Sequence, residues 1–77
     1  MAPNLARHAE IRNHLRDMGT SLAEIARELG VARATVTIVS QGYRRSHWVQ
    51  AAIAAKLGVE PKDLFPERYP EGGGITG

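Results

Sequence analysis

Residues 22–41, LAEIARELGVARATVTIVSQ, constrain the fold of this 77-residue chain more than any other stretch. They read as two short helices joined by a tight turn at Gly30-Val31. Ser21 is a good N-cap and Glu24, three residues on, completes a capping box, so a helix is expected from Leu22. Leu22, Ile25, Ala26 and Leu29 recur at helical spacing and form its inner side. Gly30 ends it, because glycine enters the left-handed region with no Cβ in the way. Val31 plugs the turn. A second helix is expected from about Arg33, with Val36 and Val39 facing inward. Ala26 is small where the two helices must cross closely. An ordinary helical hairpin in a small bundle is the plainer reading of the same pattern.

A chain of this length makes one small domain. Its core is expected to stabilise by only about 3–5 kcal/mol, so the elements must cooperate. There is no cysteine, hence no disulfide framework and no thiolate metal site. No apolar run approaches a membrane span and the N-terminus lacks the shape of a signal peptide. A soluble cytoplasmic protein, associated with the nucleoid if it binds DNA, is the expectation.

The formal net charge is only +2, but it is unevenly spread. Residues 1–47 hold Arg7, Arg12, Arg16, Arg27, Arg33, Arg44 and Arg45 against Glu10, Asp17, Glu24 and Glu28, a net of +3. Residues 48–77 hold Lys56, Lys62 and Arg68 against Glu60, Asp63, Glu67 and Glu71, a net of −1. The positive excess surrounds the two-helix unit, which suits a polyanion partner. The three histidines lie in the same half and add charge below neutral pH.

Met1 to Asn4 reads as a frayed end. Asn4 can cap a first helix running to about Met18 and closed by Gly19. Its inner side is expected to be Ile11, Leu15 and Met18, with Leu5 or His8 a turn earlier. Arg7, Arg12 and Arg16 fall mostly on the outer side, where solvent exposure is expected. Within the helix that begins near Arg33, the residues spared from packing are Ala32, Arg33, Ala34, Thr37, Ile38 and Gln41. Arginine can give two parallel hydrogen bonds to guanine, and glutamine can pair with adenine. Thr37 offers a hydroxyl and a methyl, and Ala34 and Ile38 can meet thymine methyls. Ile38 has an equal claim to packing against the last helix or a partner subunit. The β-branched run from Thr35 to Val39 is poor for an isolated helix, so tertiary packing must hold it.

Gln41-Gly42 ends that helix, and Tyr43-Arg44-Arg45-Ser46 forms the loop that follows. Tyr43, Arg44 and Arg45 suit a phosphate clamp, with Ser21 and Thr35 as further phosphate ligands; such contacts give affinity without reading sequence. Ser46 caps a fourth helix, from His47 to about Leu57, whose apolar surface is Trp48, Ala51, Ala52, Ile53, Ala55 and Leu57. Trp48 is expected to plug the core, with base stacking as its other reading. Gly58 ends this helix and Val59 seals the turn. Residues 60–65 read as a last helical turn opened by Pro61 and stopped by Pro66, with Leu64 and Phe65 packing back on the core. The domain is thus expected over residues 4–66, and residues 67–77 are expected to form a flexible tail.

The residue 22–41 unit resembles the helix-turn-helix of phage repressors and bacterial regulators, in which the second helix lies in the major groove. From Trp48 to Pro70 the chain resembles the C-terminal half of the Ner-like regulators, small phage and bacterial DNA-binding proteins of the lambda-repressor-like fold. Ile53-Ala54, Leu57, Pro61, Phe65-Pro66 and Arg68-Tyr69 carry that likeness. The resemblance implies an all-α, compact five-helix lambda-repressor-like domain without a wing, with helices 2 and 3 as the helix-turn-helix. It implies sequence-specific binding of double-stranded DNA, often as repression of a phage early promoter, with two copies on repeated half-sites. It also implies that the start of helix one passes near the DNA backbone, where Arg7, Arg12 or His8 could reach a phosphate.

No enzyme is expected. There is no plausible Ser/His/Asp set and no glycine-rich loop opening a helix after a strand. His8 and His14 are six apart, not on adjacent turns, and His47 is isolated, so no metal or other cofactor is expected and the histidines should face solvent or cap helices. The leading reading is a transcriptional regulator, more a repressor than an activator. The alternatives are an antitoxin-like or recombination-accessory DNA-binding protein, and a protein-interaction module that has lost DNA binding.

Overall fold

A computed structural model describes residues 3–66. Among them the chain forms five α-helices and no strand: α1 (Leu5–Asp17), α2 (Leu22–Leu29), α3 (Arg33–Gln41), α4 (His47–Leu57) and α5 (Pro61–Leu64). The all-α, five-helix expectation holds. The expected tail, with Arg68 and Tyr69, lies outside the described residues.

Each boundary has a local cause. Asn4 Oδ1 accepts from the Arg7 amide at 2.9 Å, opening α1. Ser21 Oγ accepts from the Glu24 amide at 3.2 Å, and Ser46 Oγ from the Val49 amide at 3.3 Å. These bonds satisfy amides that have no intrahelical partner. Only half of the expected capping box forms. The Glu24 carboxylate does not return to the Ser21 amide but pairs with Arg27 one turn on, on the exposed side of α2. Gly30 takes φ +74° and returns its amide to Arg27 O, while the Val31 amide reaches Ala26 O at 3.0 Å. The α2–α3 turn is thereby closed by two backbone bonds.

The core is Ile11 and Leu15 of α1, Leu22, Ile25 and Ala26 of α2, Val36 and Val39 of α3, Val49 and Ile53 of α4, and Phe65. Leu29, Val31, Leu57 and Leu64 pack around its margin. Helix α3 touches α1, α2 and α4. A helix with so many β-branched residues is held by this enclosure rather than by propensity.

The structure departs from the sequence expectation in several places. Pro3 and Asn4 are not frayed: the Asn4 amide donates to Gln41 O at 2.8 Å, and both residues lie against Gly42. On α1, His8 takes the inward place, whereas Leu5 and Met18 are about half exposed, at 54% and 55%. On α4, Val49, Gln50, Ile53 and Ala54 face inward; Ala55 is exposed, and Trp48 is 56% exposed rather than a core plug. That helix is apolar nearly all round, so periodicity leaves its rotation open. The buried Gln50 also hides the true inner stripe from a reader looking for apolar residues. Val59 is exposed and does not seal its turn. Phe65 fills the core instead, and the Arg7 guanidinium lies over its ring, 4.6 Å from the centroid. Arg7 is therefore committed inward and not to a phosphate.

Candidate nucleic-acid interface

The residues of α3 divide cleanly around its axis, at about 3.6 residues per turn. Val36, Val39 and Ser40 are buried. Ala32, Arg33 and Ala34 are exposed at its start, and Thr35, Thr37, Ile38 and Gln41 are half-buried. Of the six positions expected to face bases, Ala32, Arg33 and Ala34 are thus open to solvent, and Thr37, Ile38 and Gln41 are partly accessible. Ile38 is not part of the core cluster, and its packing claim is met only in part.

Arg33, Thr37 and Gln41, four residues apart, form one wall of an open groove of about 630 Å³. Its opposite wall is α1, through Arg12, Asn13 and Arg16. The start of α2, Ser21 to Ala23, closes one end. Among the described residues no carboxylate lines this groove, and none lies within ion-pair distance of Arg12, Arg16 or Arg33. Two of the acidic side chains of the same half are engaged elsewhere: Glu24 pairs with Arg27, and Glu28 with Lys56 at 2.9 Å. Three guanidiniums around one carboxylate-free groove make a strong local positive field despite the small net charge.

His8 lies at the base of the groove. Its Nδ1 meets Ser40 Oγ at 2.8 Å, joining α1 to α3 on the side of α3 away from solvent. Burial, and then the Arg12 guanidinium, lower its pKa below the ordinary histidine value. His8 is thus a buried structural group that ties α1 to α3, which corrects the expectation of a solvent-facing or phosphate-reaching imidazole. His14 and His47 are exposed as expected.

The expected phosphate ligands occupy the rim. Ser21 is half-buried at the mouth of the groove, its Oγ engaged as the α2 cap, and Thr35 is half-buried on the other flank of α3. Tyr43, Arg44 and Arg45 are exposed in the loop after α3. That loop is anchored at its root, where the Gly42 and Tyr43 amides return to Val39 O and Ile38 O at 3.1 and 3.0 Å. Trp48 stands exposed two residues after Ser46. Sequence reasoning missed it as a surface residue, and also missed the contribution of Asn13 to the groove. The only available signal for either was its position beside basic residues.

A family model described as winged helix-turn-helix DNA-binding matches residues 7–76. The chain belongs to that family. Its partner is accordingly double-stranded DNA, bound through a helix-turn-helix. Among the described residues this member shows no strand that would form a wing. No curated protein and no solved structure matches the chain. No helix of the described residues is long and apolar enough to cross a membrane.

Proposed function

We propose that this domain is a sequence-specific transcriptional regulator of the Ner-like type, a repressor of phage or bacterial promoters, with α3 laid in the major groove. One observation carries the reading: α3 is packed on its inner side by α1, α2 and α4 and keeps a polar line, Arg33, Thr37 and Gln41, open in a groove free of carboxylates. Base-edge recognition needs rigid placement of a few donors and acceptors, and positive surroundings to bring the duplex in. Arg33 is assigned to guanine and Gln41 to adenine. Thr37, Ala32, Ala34 and Ile38 supply the hydroxyl and apolar contacts. Ser21, Thr35, Tyr43, Arg44 and Arg45 contact the backbone on either side.

A single short reading helix gives limited discrimination, so two copies act on one operator, with half-sites about 34–36 Å apart. The test is selection of bound duplexes from a random pool, followed by footprinting of the enriched site. The expected result is a repeated short motif protected on one face of the helix. Recovery of unenriched sequence at low salt would mean backbone binding alone. No recovery at any ionic strength would favour a protein-interaction module.

A further inference from the structure

A second groove, of about 240 Å³, lies between α1, the end of α4 and α5, and DNA recognition makes no use of it. Ile11, Leu57 and Leu64 form its floor, and Met18 and Val59 stand more exposed at its sides. Glu10 and His14, one turn apart on α1 and both exposed, give it a polar edge. By helical spacing, these α1 positions face away from Arg12 and Arg16, so the two grooves use opposite sides of α1. Met18 and Val59 both have the sequence setting of packed residues. Met18 continues the Ile11 and Leu15 stripe, and Val59 follows the Gly58 stop. Yet they are 55% and 44% exposed, which forgoes the stabilisation their burial would give.

We infer that this groove is filled by the chain itself: Tyr69 lays its ring over Met18 and Val59 and turns its hydroxyl to the Glu10 and His14 edge. Position selects this occupant first. The described residues end at Pro66, two residues past the groove-lining Leu64, so the segment that follows sets out from the groove. Tyr69 is three residues beyond Pro66, a reach of about 10 Å in an extended chain. It precedes Pro70, and a residue before proline is biased to that extended form. Chemistry selects it next. An apolar floor with a polar edge suits a side chain that has an apolar body and a hydroxyl needing a partner. The family match supplies the third reason: it runs to residue 76, so the likeness does not stop at α5. Tethering also favours this occupant, because a short linker holds its end at an effective concentration in the millimolar range. A second copy or a free ligand must compete with that. Tyr69 thereby joins α1 to the corner of α4 and α5, and the domain extends past Pro66.

The test uses the full chain without DNA, so its outcome is independent of the DNA-binding reading. Protein labelled at its methionine and valine methyls is studied by nuclear Overhauser spectroscopy. Cross-peaks are expected from the Tyr69 ring to the Met18 methyl and to a Val59 methyl. Tyr69→Ala should remove them and move the Met18 methyl toward its random-coil shift. It should also speed oxidation of Met18 by hydrogen peroxide several-fold, because the thioether loses its cover. Tyr69→Phe should keep the cross-peaks, losing only the hydroxyl contact. Ile75→Ala, a change further along the same segment, should alter none of these. Far-UV circular dichroism checks that each variant keeps its helices. A mixture of labelled and unlabelled chains then separates contacts within a chain from contacts between chains. Cross-peaks found only between chains would give the groove to a second copy and overturn the inference. A wild-type spectrum without Tyr69 contacts to these methyls overturns it as well, as does equal Met18 oxidation in wild type and Tyr69→Ala.

Discussion

Replacing Gly42 by alanine tests how the N-terminus of α1 is locked to the end of α3. Gly42 has φ +96°, where an L side chain costs about 1–2 kcal/mol. A Cβ built there would lie 3.2 Å from Pro3 Cα and 3.3 Å from Asn4 N, both backbone atoms that cannot swing aside. Relief requires moving residues 3 and 4 away, which endangers the 2.8 Å bond from the Asn4 amide to Gln41 O. Losing that bond costs about 0.5–1.5 kcal/mol. The expected total for Gly42→Ala is therefore about 1.5–3.5 kcal/mol. Gly30 supplies the control: it too has positive φ, +74°, but nothing lies within 4 Å of its Cβ position. Gly30→Ala should incur the strain alone, about 1–2 kcal/mol. Urea denaturation followed by far-UV circular dichroism measures both. In thermal melts Gly42→Ala should fall a further ~2–12 °C below Gly30→Ala. Equal midpoints for the two variants would refute the close approach of α1 to α3.

The pH dependence follows from His8. Its folded pKa is lowered, so between that value and the unfolded value the unfolded chain binds more protons. Stability is therefore fully present above the unfolded value, near 6.5, and is lost as pH falls through the folded pKa. His8→Gln should flatten that part of the stability–pH curve, and a slope identical to wild type would remove His8 from the linkage. Ser40→Ala deprives a buried imidazole of its partner and should cost about 1–3 kcal/mol in the same denaturation assay. Trp48→Ala should change stability by less than about 1 kcal/mol, against the 3–5 typical of a buried aromatic, and wild-type tryptophan emission should be that of a solvated indole. Arg33→Ala should weaken operator binding by roughly 1–3 kcal/mol and spare random duplex. Arg44→Ala should weaken both and flatten the salt slope by about one unit; an unchanged slope would take Arg44 off the backbone.

Local chemistry was legible along the chain because it acts over three or four residues. The Ser21, Ser46 and Asn4 caps, the Gly30, Gly42 and Gly58 stops and the Pro61 start give the helix boundaries found in the structure. The spacing of Ile25, Ala26, Val36 and Val39 likewise gave the packed angle of the helix-turn-helix. The accessible arc of α3 follows from the same periodicity, as what remains once the inward residues are removed.

Rotation and partner choice were not legible. Helix α4 offers apolar residues on every side, and only its seat against α2, α3 and Phe65 decides that Gln50 goes in and Trp48 stays out. His8 could have been one more surface histidine; Ser40, thirty-two residues away, makes it a buried tie. Arg12 and Arg16 look like solvated charge until α3 is set opposite them, because a groove exists only between elements. Short-range steric and capping preferences are written in neighbouring residues. Which faces meet depends on the joint packing of all the helices, and no one segment encodes it.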